Sequence, residues 1–196
     1  MEKLSQDAVL LIIDVQQGFD DPFWGKRNNP TAEQKIAHLL AAWRQSNRPV
    51  FHVQHLSLSP NSPLHPSRPG VAIKKEVEPQ TGELLFQKPV NSAFIGTDLE
   101  QQLRERGYDT LVITGLTTPH CVSTTTRMAG NLGFRTFIVY DATAAFDLRD
   151  HQGRHYPAEE IHNVALAALH GEFATVVSTA ELLHALSYTR SWLDTS

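Results

Sequence analysis

Three side chains with reactive heads follow strand-like runs: Asp14 after "AVLLII", Lys88 after "ELLFQ", and Cys121 six residues beyond "TLVITG". If those strands run parallel, their carboxyl ends share one edge of a sheet and an acid, a cation and a thiol converge there. A thiol is a nucleophile as thiolate, and its pKa falls beside a cation or at a helix N-terminus; this arrangement would supply both. Asp14 would take the thiol proton while Lys88 holds the resulting charge. The same proton could then pass to a leaving amine, the general-acid step of amide hydrolysis. Taken singly, each residue has a plainer reading. A lone cysteine can be a small buried hydrophobe, an aspartate at a strand end can cap a turn, and a lysine can be a solvated edge residue. The chemistry rests on the three together.

The elements that would deliver them are legible. Short apolar, β-branched runs recur at 8–14, 49–54, 83–88, 110–115, 135–141 and 174–178. They are continuous rather than alternating, as strands buried on both faces are. Helix-like segments at 31–46, 97–107, 121–133 and 157–171 separate most of them. This predicts a Rossmann-like three-layer α/β/α fold with a mainly parallel six-stranded sheet. Thr97 and Glu100 match a capping box with Gly107 as its terminator, and Pro157 with Glu159 and Glu160 makes a first helical turn that would run to His170-Gly171. Two stretches resist assignment, 16–30 and 56–72, both rich in Pro, Gly, Asn and Ser, and such loops at strand carboxyl ends are where open α/β sheets bind ligands. The segment "SYTRSWLDTS" reads as a short tail.

Composition narrows the classes. A chain of 196 residues suits a single domain, 1–196, and 41% hydrophobic with 19% charged residues is a globular balance. No apolar run approaches bilayer length, so no membrane partner is expected. The start "MEKLSQDAVLLIID" does not read as a signal peptide, and one cysteine cannot form an internal disulfide. Both point to the cytoplasm. The net charge of -4, with no basic cluster longer than Lys74-Lys75, argues against nucleic acid and for a small-molecule substrate.

The blocks "LLIIDVQQGF", "KPVNSAFIGTDLEQQL" and "LVITGLTTPHCVSTTTRMAGNLGFRTFIVYDATAAFD" resemble, in order and spacing, the signature blocks of the isochorismatase-like cysteine hydrolases. The likeness runs from about residue 8 to "ATVVSTAELL". It implies that Asp14, Lys88 and Cys121 form a catalytic triad. It further implies that Leu116-Thr117 is a cis peptide turning the Thr117 amide inward beside the Cys121 amide as an oxyanion hole. Relatives are mostly oligomers, so a homodimer or homotetramer is expected, with "VALAALHGEF" and "TAELLHAL" packing within or between subunits.

Ten histidines invite a metal reading, above all His52, His55 and His65. The nicotinamidase branch of the resembled family uses an aspartate and nearby histidines after the second strand. Here the stretch reads "HVQHLS", without Asp-x-His, so neither metal nor other cofactor is expected and His52 reads as a core or edge histidine. Phe19, Trp24 and Phe94 flank the triad segments as candidate pocket walls, with His120 beside them, each able to serve ordinary packing or exposure instead. The proline-rich 59–70 stretch would make a stiff lid. The function expected is a cysteine-dependent hydrolase of a small amide or related C–N bond through a thioester. The alternatives are an isochorismatase cleaving a vinyl ether, which family members can do without the cysteine, a nicotinamidase, or a thiol redox sensor, the last lacking a resolving cysteine.

Overall fold

Each apolar run becomes a strand, and in the central strands successive side chains enter two different cores. The computed structural model describes residues 4–187, so that all of the expected tail beyond Ser187 lies outside the described residues. In chain order it contains β1 (Val9–Ile13), α1 (Ala32–Gln45), β2 (Val50–His55), β3 (Leu84–Lys88), α2 (Leu99–Glu105), β4 (Thr110–Leu116) and α3 (Ser123–Asn131). There follow β5 (Arg135–Ala144), β6 (Leu148–Arg149), β7 (His155–Tyr156), α4 (Ala158–Ala167), β8 (Thr175–Val177) and α5 (Thr179–Ser187). Six strands form one parallel sheet in the order β3-β2-β1-β4-β5-β8. The β6/β7 pair is a small antiparallel hairpin, too short for any periodicity to announce.

The two-faced burial explains why the runs are unbroken. Val9, Leu11 and Ile13 pack with Leu99, Leu103, Val122, Ala129 and Leu166, the face covered by α2, α3 and α4. Leu10 and Ile12 pack with Ile36, Leu39, Leu40, Trp43, Leu182 and Leu186, the face covered by α1 and α5. The Trp43 indole donates to the Ala8 carbonyl at 2.9 Å, so its one polar atom is satisfied in the core. Among the described residues no helix is long and apolar enough to cross a membrane.

Local starts and stops depart from expectation in three places. The Thr97 hydroxyl does receive the Leu99 N–H at 3.3 Å, but Glu100 reaches forward to Arg104 instead of back, so the capping box is only half made. Pro157 is the cap of α4 rather than its first helical residue, and the helix ends at Ala167. The helix expected from residue 121 starts at Ser123 and is preceded by a π-helical turn, Thr118–Val122.

The connections from β1 and β4 leave toward opposite edges of the sheet, so the crevice beyond these two neighbours is the switch point at which α/β sheets bind ligands. Gly115 is required there. Its φ is 122°, and any Cβ would collide with the Ile13 carbonyl.

Candidate active site

Asp14 is the first residue beyond β1, at φ 53°, a left-handed conformation that non-glycine residues seldom adopt outside special sites. Its amide is tied to the Val53 carbonyl at 2.9 Å, which fixes the carboxylate at the switch point. Lys88, the last residue of β3, donates from Nζ to Asp14 Oδ2 at 2.6 Å, and both side chains are 0% exposed. Cys121 lies on the π turn, closed by the Val122 and His120 amides donating to the Thr117 carbonyl at 3.3 and 3.1 Å. Sγ of Cys121, a carboxylate oxygen of Asp14 and a ring nitrogen of His55 lie within 4.8 Å of one another. Two strand ends and one turn therefore bring together the acid, the cation and the thiol, and a third strand end adds His55. Among the described atoms Asp14 Oδ1 is buried with no hydrogen-bond partner, which leaves it to the thiol. The Leu116-Thr117 peptide is cis.

The thiol's electrostatics reverse the expectation. Burial, and after it the Asp14 charge, push Cys121 up to about 12 against the pull of Lys88. The depth of burial is the main reason, since Cys121 is only 8% exposed. Burial likewise raises Asp14 above its usual 3.8, opposed by Lys88. The resting thiol is thus protonated, beside a carboxyl group whose Oδ2 is held by Lys88 Nζ.

The three histidines of the second-strand segment do not converge. His52 is buried with Nε2 2.8 Å from Glu83, which also holds Arg44 at 2.7 Å, a structural ion cluster at the sheet's edge. His65 Nδ1 pairs with the Ser67 hydroxyl at 2.7 Å. His55 faces the site, Nδ1 3.1 Å from Lys88 Nζ, and burial followed by the lysine charge pushes it down to about 4.

Beside the π turn lies a cavity of about 220 Å³, lined by Phe23, Trp24, Thr117, Pro119, His120, Phe146, Asp147 and Leu148. Trp24 and His120 are on its wall. The Trp24 ring is locked by its indole N–H donating to the Gly18 carbonyl at 2.8 Å, and His120 Nδ1 pairs with the Thr117 hydroxyl at 3.0 Å. Phe19 is behind the wall, 5.0 Å from Trp24 and 6.1 Å from Phe146 between ring centroids. Phe94 stacks on Phe134 at 5.9 Å and packs into the core that holds Cys121. Neither Phe19 nor Phe94 lines this cavity. Phe146 went unnoticed in the sequence, although it follows β5 at the same edge as the other site residues; Phe23 and Leu148 carried no signal beyond being apolar.

The 56–72 loop is a brace rather than a lid. Gly70 packs so tightly on Gly18 that a Cβ on it would meet the Pro63 carbonyl oxygen at 2.5 Å and Gly18 Cα at 2.8 Å. Leu64 joins Phe19, Leu116, Ala144 and Phe146 in one buried cluster, so the loop supports its own chain's aromatic wall. A second brace comes from α4, where His162 Nδ1 bonds the buried Thr118 hydroxyl at 2.8 Å.

Comparison with known proteins places the chain in a family. Residues 8–181 match the family model of the isochorismatase domain. YrdC of Bacillus subtilis, an isochorismatase family protein, is 51% identical over 181 residues, covering 92% of this chain and 97% of its own length. The crystal structure of a hydrolase of the isochorismatase family from Chromobacterium violaceum superposes with a TM-score of 0.90 at 48% identity, covering 94% of this chain and 95% of that one. Nicotinamidase 3 of Arabidopsis thaliana is 29% identical over 195 residues, 93% of this chain and 90% of its own.

Proposed function

This chain belongs to the isochorismatase family of hydrolases, and we propose that it is a cysteine-dependent hydrolase of a small amide or related carbon–nitrogen bond. The observation that carries this is the buried Asp14–Lys88 contact with Cys121 in reach of it at the switch point. The thiol proton passes to Asp14 Oδ1 as Sγ attacks the substrate carbonyl carbon. The Thr117 and Cys121 amides take the developing oxyanion, donors of a kind worth about 2.7–4 kcal/mol each. Asp14 returns the proton to the leaving nitrogen as the C–N bond breaks, and a thioester remains on Cys121. Water, deprotonated by Asp14, then attacks the thioester, and the proton goes to the departing sulfur. Lys88 holds the negative charge through both halves.

The cavity narrows the substrate. Its lining is mainly apolar and aromatic beside Thr117, His120 and Asp147, with no lysine or arginine among the described residues that form it. Its one carboxylate, Asp147, is engaged by His155 at 2.9 Å and by the Ala158 amide at 2.8 Å. A compact uncharged acyl group fits such walls, whereas isochorismate brings two carboxylates that nothing there would neutralise. A redox sensor is disfavoured because its thiol should be low in pKa and exposed, and Cys121 is neither. We further place the enzyme in the cytoplasm, as one domain over residues 1–196 that works as a homodimer or homotetramer.

The test is an ammonia-release screen over small neutral amides, ureas and carbamoyl compounds, nicotinamide included, with Cys121→Ala beside it. Turnover that Cys121→Ala abolishes is expected; full turnover by that variant would overturn the reading, and isochorismate cleavage would replace it.

A further inference from the structure

We propose that His55 is a positioning residue, one that sets the rotation of the Lys88 ammonium so that an N–H faces the Cys121 sulfur. This deepens the triad reading and rests on it. His55 is the last residue of β2, in register with Lys88 on β3. Its backbone is clamped by the side chain of the buried Gln16, which accepts from the His55 amide at 2.9 Å and donates to its carbonyl at 3.0 Å. Gln16 Nε2 also donates to the Val71 carbonyl at 2.8 Å, so Gln16 cannot shift without breaking three bonds.

The ring is fixed as firmly as the backbone. One nitrogen donates to the Val90 carbonyl, and Nδ1, 3.1 Å from Lys88 Nζ, is then the bare nitrogen and accepts from the ammonium. A lysine ammonium has three donors and no acceptor. Lys88 is 0% exposed, so its donors must find protein partners. Asp14 Oδ2 takes one and His55 Nδ1 a second, and two fixed acceptors leave no freedom about the Cε–Nζ bond. The third N–H remains for Cys121, whose sulfur lies within 4.8 Å of both other acceptor groups. With no acceptor at His55, the ammonium would turn, and the stabilisation of the thiolate would be shared among rotations that do not face it. His55 itself contributes no charge, being held neutral beside the lysine.

Asparagine and glutamine separate the two ring nitrogens. Asn Oδ1 lies as many bonds from Cα as His Nδ1, so His55→Asn keeps the acceptor for Lys88. In His55→Gln the amide reaches the depth of Nε2, keeping the Val90 contact and removing the acceptor. His55→Leu removes both. Two readouts are made on the whole chain: kcat and KM on the amide found by the screen, and the rate of Cys121 alkylation by iodoacetamide at neutral pH, with thermal unfolding to show that each variant is folded.

The expected result is that His55→Asn stays near the parent, while His55→Gln and His55→Leu lose about 10- to 100-fold in kcat with KM little changed. The rate of Cys121 alkylation at neutral pH should fall about tenfold in those two, a tenfold loss of thiolate. The proposal is overturned if Asn is as impaired as Gln, if all variants match the parent in both readouts, or if the loss is confined to KM. Retained turnover in Cys121→Ala would instead remove the hydrolase reading, and the alkylation rates would still decide the role of His55. Should His55→Leu not fold, the Asn and Gln pair carries the comparison.

Discussion

Replacing Lys88 by methionine should damage the fold as well as the chemistry, by an amount that depends on pH. The ammonium is 2.6 Å from Asp14 Oδ2 with both side chains 0% exposed, so Lys88→Met leaves a carboxylate in the core with no counter-ion. Breaking a buried pair from one side costs about 3–5 kcal/mol. At about 2–4 °C per kcal/mol for a chain of this size, the melting temperature should fall by roughly 6–20 °C near neutral pH. Burial raises Asp14 above 3.8 even with Lys88 opposing it, and removal of Lys88 raises it further. A carboxyl raised in the folded state binds its proton more readily folded than unfolded. The variant's penalty is therefore smallest below pH 3.8, grows as pH rises through the new folded pKa, and is flat above it. Adding Asp14→Asn removes the orphan charge, so the double variant should recover more than half of the loss. The assay is thermal unfolding of parent, single and double variants from pH 4 to 9. A Lys88→Met melting point within about 2 °C of the parent at the alkaline end, or a double variant as unstable as the single, would refute the reasoning.

The remaining expectations address the proton donor, the brace and a second ion cluster. Asp14→Asn should cut turnover by about 10²–10⁴-fold with a folded protein, as loss of the proton carrier demands, and a fall of less than tenfold would exclude that role. Gly70→Ala puts a Cβ 2.5 Å from one backbone atom and 2.8 Å from another, so about 1–3 kcal/mol of overpacking should appear in urea unfolding, with a raised KM as the Trp24 wall loosens. Burial alone would raise Glu33, yet Arg27 and Lys74, each 2.8 Å away, hold it down to about 2. Its contribution to stability is thus complete above pH 4.5 and is lost as pH falls toward 2. Glu33→Gln should lower the melting point at pH 7 and flatten acid unfolding over that window, and an unchanged acid limb would count against the pairing.

How much could be read beforehand depended on whether a residue's role is local. Strand ends were legible because burial on both faces leaves unbroken apolar runs, and parallel strands deliver Asp14 and Lys88 to one edge whatever lies between. The thiol's raised pKa was not legible. A cation and a helix start were visible in the letters, but the depth of burial and the closeness of Asp14 depend on packing across the whole sheet. The π turn escaped for a similar reason, since Thr118 and Pro119 suit the first turn of any helix and the wide closure to Thr117 is a property of the fold. Among the aromatics, sequence could mark Phe19 and Phe94 as large and near the triad but not which way they face. That follows from Leu64, which reaches Phe19 across the brace, and from Phe134, which takes up Phe94.

A thiol pushed up to about 12 looks ill suited to attack at neutral pH, yet the buried pair beside it changes what has to be paid. Losing the proton to water would leave a second negative charge in a site that already balances one carboxylate against one ammonium, and burial penalises that unmatched charge heavily. Passing the proton to Asp14 creates no net charge. The sum of carboxyl, ammonium and sulfur stays at zero, and the negative charge moves from one partner of Lys88 to the other. Burial opposes the first process and leaves the second nearly untouched, so the same environment that keeps Cys121 inert toward bulk solvent lets it ionise toward Asp14. Neutral His55 fits this balance, since a protonated imidazole there would compete with Lys88 for the charge. On this reading the sheet's switch point serves to hold a fixed total charge in which one proton is free to move.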